Sequence, residues 1–233
     1  MQTDTAPAAP VAAPAATADH GHHVKDPHHH FQYSDPQRQF HAAKFGMWLF
    51  MAQEILFFGV LFCAYAFYRN QYPEAFHQAS HHLNHPFGAI ETVDLLLSSF
   101  TVALSIHYIR INERMKTLGC ILFTIVCGFV FLGMHSFEYY TEWSEGFLPG
   151  KYFHSEELTV VGAPMFFTVY FFLTGVHSFH VIVGIGVMAW LAVRTYQGRF
   201  DNKYNTPVEI CGLYWHLVDL IWIFLFPLLY LIG

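Results

Sequence analysis

The chain has 233 residues, 54% hydrophobic and 18% aromatic, and only 12% of them are charged, about half the share expected of a soluble domain. Its net charge is −6 and its eleven Lys and Arg residues form no basic stripe, which argues against a nucleic-acid partner. The hydropathy pattern excludes a soluble enzyme.

Residues 1–40 read as a disordered cytoplasmic tail. An Ala/Pro-rich run (APAAPVAAPAA) is followed by HGHHVKDPHHH, and neither offers anything to bury. The histidines could bind a transition metal weakly, but a solvated low-complexity segment explains them as well. The first twenty residues lack a basic n-region and an apolar h-region, so no cleavable signal peptide is expected.

Residues 41–233 form a transmembrane domain. Stretches 45–68, 92–109, 117–137, 163–193 and 210–233 together contain three charged side chains, Glu54, Asp94 and Asp219. Each is long enough to cross a hydrocarbon core about 30 Å thick at about 1.5 Å per residue. The expected fold is all-α, a polytopic bundle of five transmembrane helices. In the first, Glu54 lies about 15 Å from the N-terminal end at helical rise. A charged carboxylate there costs a few kcal/mol if it faces lipid. Glu54 is therefore either an interhelix hydrogen-bonding group or a proton-exchanging or lipid-contacting carboxylate. In the second, Asp94 lies near the helix end and precedes the pair Ser98–Ser99. In the third, His135 and Glu138 are i,i+3 neighbours able to meet.

The fourth stretch is the longest, and Gly175, Gly184 and Gly186 would allow close helix approach. His177 and His180 lie near one another on it and invite a metal or haem reading. Without a supporting carboxylate set they make a poor metal site, and interhelix hydrogen bonding explains them better. The fifth carries His216 and Asp219, an i,i+3 pair, while Arg194 and Glu209 flank the loop before it. An Arg at that level suits a lipid phosphate. Cys63, Cys120, Cys127 and Cys211 all fall in hydrophobic stretches and read as small apolar residues, with no metal set.

Basic residues predict the orientation. With the N-terminus cytoplasmic, nine of them fall inside and two, Arg69 and Lys151, outside. That bias places the C-terminus on the periplasmic side.

Three segments then carry a resemblance: AQEILFF around Glu54, FFTVYFFLTGVHSFHVIVG (166–184) and YWHLVDLIWIFLFPLLY (214–230). They closely resemble subunit III of the haem-copper respiratory oxidases, the cytochrome c oxidase type, in its short five-helix form. The resemblance implies a non-catalytic accessory subunit of a proton-pumping terminal oxidase in aerobic respiratory electron transport. Such a chain belongs to an oxidoreductase and translocase complex but holds no redox centre, the haem and copper residing in partner subunits. It would pack against subunits I and II, stabilise subunit I, bind phospholipid and support proton uptake. Glu54 matches the family's buried reactive carboxylate. His177, His180, Glu209, His216 and Asp219 match its polar helix contacts, and Arg194 matches a basic residue at the lipid headgroups. The first two helices of the seven-helix form are absent, which leaves open how the family's lipid cleft is completed. The implied location is the bacterial inner membrane. The alternatives are the equivalent subunit of a quinol oxidase and, from another class, an independent proton channel or transporter.

Overall fold

The computed structural model describes residues 36–149, 153, 160–200 and 205–231. Most of the predicted tail, residues 1–35, lies outside them, and residues 36–40 form the first turn of a helix. Six helices follow in order: α1 Pro36–Gln71, α2 Pro73–His82, α3 His85–Arg110, α4 Arg114–Ser144, α5 Ala163–Tyr196 and α6 Thr206–Phe226, the last continuing as a π-helical turn over Pro227–Leu231. Five are long and apolar enough to cross a membrane. Among the described residues there is no strand, only an isolated bridge between Phe147 and Phe153.

Each long helix presents one seam to its neighbours, spaced alternately three and four residues. In α6 the seam is Val208, Cys211, Trp215, Val218, Trp222, Leu225 and Leu229, all buried. In α3 it is Gly88, Glu91, Leu95, Ser98, Val102, Ser105 and Ile109. In α4 it runs through Thr117, Ile121, Thr124, Gly128, Phe131, His135, Glu138 and Glu142. A 3.5-residue repeat keeps one face towards a partner helix inclined at about 20°. Accordingly α3 packs on α4, α4 on α5, α5 on α6 and α6 on α3, closing a four-helix ring. Trp215 and Trp222 fill its middle.

Glycine makes the close contacts possible. A Cβ on Gly128 or Gly184 would meet Trp215 at 3.0 Å, so both helices approach the indole where only a glycine fits. Gly186, expected to act likewise, faces open space.

Helix α1 leans on the outside of the ring, against α5 and α6. Its buried residues are Met47, Glu54, Phe58 and Tyr65, while Leu56, Val60 and Phe67 are largely exposed, as suits a hydrocarbon surround. At one end of the bundle, Lys44 of α1 and Arg110 of α3 both reach Glu209 of α6, at 3.1 and 2.8 Å. Arg114 and Arg194 lie at that same basic end.

Two elements were not foreseen. Helix α2 starts on Pro73 and buries Ala75, Phe76, Ala79 and Ser80; proline at the first helical position gives up no hydrogen bond. The π-helical turn begins at Pro227, whose missing N–H and ring bulk disrupt the regular i→i−4 ladder.

Candidate functional site

Glu54 takes a seam position on α1 and is 8% exposed although its helix neighbours face outward. Its Oε2 lies 3.2 Å from Nε2 of His180 on α5. His180 Nδ1 is 2.8 Å from the carbonyl of Val176, and since a carbonyl only accepts, Nδ1 carries the hydrogen. Nε2 of the neutral ring is then a lone pair facing a carboxyl group. Oε2 forms no hydrogen bond in this geometry, and a small reorientation across the 3.2 Å gap would allow one. Phe58 closes one side of the ring at 5.3 Å between centroids, and the Tyr214 hydroxyl donates to the His180 carbonyl at 3.0 Å.

The pair opens onto a cleft of about 510 Å³ lined by Gln53, Glu54, Leu56, Phe57, Val60 and His180. A second, of about 440 Å³, shares Phe57 and His180 and continues along α5 past Gly175 and Phe179. Together they form an apolar groove on the outer face of the bundle with one polar pair in its wall. Such a groove suits a long apolar chain whose polar end hydrogen-bonds a carboxyl–imidazole pair.

The other predicted residues occupy separate places. His177 is completely buried, between Trp222 at 5.1 Å and Phe131 at 5.6 Å. His216 and Asp219, expected to pair with one another, each reach across to α3. Ser99 Oγ meets His216 Nδ1 at 2.6 Å, and the Ser98 hydroxyl lies 3.5 Å from Asp219 Oδ2. Ser98 also accepts from Trp215 Nε1 at 2.9 Å. Both lie one residue past a seam position, Trp215 or Val218, and face α3, where a serine pair offers two partners. Glu209 ties α1, α3 and α6 together through Lys44 and Arg110. The Arg194 guanidinium lies 5.6 Å from the Trp190 ring in the last turn of α5, beside the exposed Val193 and Tyr196, an interfacial setting.

A second polar group escaped sequence reading. Glu91 is completely buried, and His135 and Glu138 are 3% and 5% exposed. His135 Nδ1 lies 3.8 Å from Glu91 and 3.6 Å from Glu138, so the expected His135–Glu138 contact has a third member. Seam spacing could have found it, because Glu91 is in register with Leu95, Ser98 and Val102, whereas Asp94 is not.

The described fold is that of a helical membrane protein in which one carboxyl–imidazole pair faces outward and further polar groups are enclosed. The cytochrome c oxidase subunit III family model matches residues 29–233, and the chain belongs to that family, subunit III of the haem-copper oxidases. It is 33% identical over 193 residues to the "Probable quinol oxidase subunit 3" of Staphylococcus haemolyticus, covering 82% of this chain and 89% of that one. A protein of the same name from Staphylococcus aureus is 32% identical over the same coverage. The chain is thus a bacterial multi-pass membrane protein with an accessory role, and it associates within the membrane with other oxidase subunits.

Proposed function

We propose that the chain is the subunit III of a proton-pumping terminal oxidase of the bacterial inner membrane, seated with its N-terminus cytoplasmic and its C-terminus periplasmic. It packs beside subunits I and II, stabilises subunit I and supports proton uptake from the cytoplasmic side, while the haem and copper are held by the partner subunits. The observation that carries the role in proton uptake is the Glu54–His180 pair. It is a proton-holding couple at the wall of an outward-facing apolar groove, where a phospholipid chain can lie and where a neighbouring subunit can cover it. Holding a proton this deep in the membrane requires a group that exchanges it without a large rearrangement. A carboxyl and an imidazole at 3.2 Å meet that need, since the proton passes between them along one contact.

Orientation is supported by the basic end of the bundle, where Lys44, Arg110, Arg114 and Arg194 gather. Arg194, beside Trp190, binds a lipid phosphate at the headgroup level. The family name supports reduced cytochrome c as the electron donor, and the names of the relatives support a quinol.

The test is a pair of assays on the complex purified through this chain in mild detergent. Oxygen consumption with reduced cytochrome c and with a quinol identifies the donor. In Glu54→Gln, initial oxygen reduction is expected within about twofold of wild type, because a non-catalytic group contributes less than one order of magnitude to the first turnovers. Activity should decline faster over sustained turnover. Complete loss of initial turnover with normal haem content overturns the accessory reading. In Arg194→Ala, less phospholipid should be retained on purification, and unchanged phospholipid content leaves Arg194 a topological anchor only.

A further inference from the structure

The Glu91–His135–Glu138 group takes no part in the proposed proton uptake or lipid binding, and it is the most enclosed set of ionisable side chains among the described residues. It forms where α3 and α4 face one another inside the ring, Glu91 supplied by α3 and a His-x-x-Glu pair by adjacent turns of α4. Each residue offers one ligand atom, and the three atoms lie within 4.8 Å of one another. Neither carboxylate oxygen of Glu91 and neither ring nitrogen of His135 has a hydrogen-bond partner. Groups this deeply buried are costly when left unsatisfied.

Charge sharpens the point. Among the described residues, the ion-pair partner of both carboxylates is His135. Bound to a cation, two carboxylates and one neutral imidazole would supply two negative charges, the complement of a divalent ion. Tyr230, delivered by the π-helical turn, donates to both oxygens of Glu138 at 2.8 and 2.7 Å. A phenol that fixes a carboxylate in this way resembles the outer-shell partner that orients a metal ligand. Helical bundles that hold two metals also draw a Glu from one helix and a Glu/His i,i+3 pair from another, although there the Glu precedes the His and here the order is reversed.

We infer that Glu91, His135 through Nδ1, and Glu138 form a structural site for one divalent transition-metal cation of the zinc class. The separations of 3.6 and 3.8 Å from Nδ1 are close to the roughly 3.3–3.5 Å between neighbouring ligand atoms around a tetrahedral zinc, and all three ligand atoms lie within 4.8 Å of one another, so drawing the two carboxylates together completes the site. The donor set of one nitrogen and two oxygens suits zinc, with a water in the fourth position. The cation would fasten α3 to α4 and, through Tyr230, to the end of α6.

The test uses the full chain purified with its accompanying subunits, as wild type, Glu91→Gln, His135→Gln and, as a control outside the site, Glu54→Gln. Elemental analysis after chelator washing and reloading with Zn²⁺ should find about one equivalent more in wild type and Glu54→Gln than in the two ligand variants. X-ray absorption at the zinc edge supplies a second readout. The difference between the wild-type spectrum and that of Glu91→Gln, in which zinc held weakly by the His-rich tail cancels, should show a single imidazole with oxygen ligands. Equal zinc in wild type and both ligand variants overturns the site, as does wild-type protein that binds none. A difference signature with sulfur or several imidazoles overturns it too.

Discussion

Glu54 and Glu91 hold the same kind of position, a seam site on a hydrophobic helix, and their surroundings could hardly differ more. Glu54 belongs to α1, which has helices on one side only, so its carboxyl meets one histidine and an open groove. Glu91 belongs to α3 inside the ring, with α4 and α6 against it, His135 at 3.8 Å and, among the described residues, no groove beside it. Helix periodicity decides that a side chain is turned inward. The number of helices around it decides whether it can still exchange with its surroundings. The peripheral carboxyl is therefore suited to proton exchange and the enclosed one to holding a fixed charge.

This contrast predicts that interior changes cost far more than peripheral ones. The largest effect is expected for Trp222→Ala, because the indole packs against Phe131, His135 and His177 and donates to Thr92. Emptying that space should destabilise the bundle by about 3–5 kcal/mol, read as a fall in unfolding midpoint in detergent. Tyr230→Phe keeps the ring and removes the hydroxyl from Glu138. A loss of about 1–2 kcal/mol is expected, the upper range for hydrogen bonds between helices in a membrane. Glu54→Gln should cost less than about 1 kcal/mol, since an amide can still bond His180 from one side of the bundle. If it unfolds the chain more readily than Tyr230→Phe, the division between an adaptable periphery and a rigid interior fails. The smallest change is expected for Lys44→Ala, about 0–1 kcal/mol, because Glu209 keeps Arg110. A larger drop in the same unfolding measurement would make that triad the main tie between α1 and the ring.

Much of this was legible in the sequence because hydropathy is local. All five spans fall where the apolar stretches lie, and Glu54 is conspicuous as a lone charge within one. The apolar stretches 92–109 and 117–137 fall short of α3 and α4, which run His85–Arg110 and Arg114–Ser144, because polar residues at helix ends look like loop. That error left Glu91 and Glu142 outside the membrane helices and drew attention to Asp94 instead. The pairing of His216 with Asp219 was inferred from spacing along one helix, whereas the partners are serines on another helix, which no local pattern names. His180 was recognised as a polar contact, but its neighbour Glu54 lies more than a hundred residues away in the chain. Interhelix contacts of this kind follow from how the seams are paired, and the pairing follows from the whole set of helices together.

Pro227 imposes a length constraint on the end of the chain. The π-helical turn it starts aims the Leu228 carbonyl at the Tyr65 hydroxyl on α1 and the Tyr230 hydroxyl at Glu138 on α4. Two residues of one turn thereby clasp two different helices, α1 and α4. Deleting or inserting a single residue between Trp222 and Pro227 would turn everything after it by about 100°, releasing both clasps at once while leaving hydropathy unchanged. This segment should therefore tolerate substitution far better than any change in length, and a tag or fusion at this terminus belongs after Leu231.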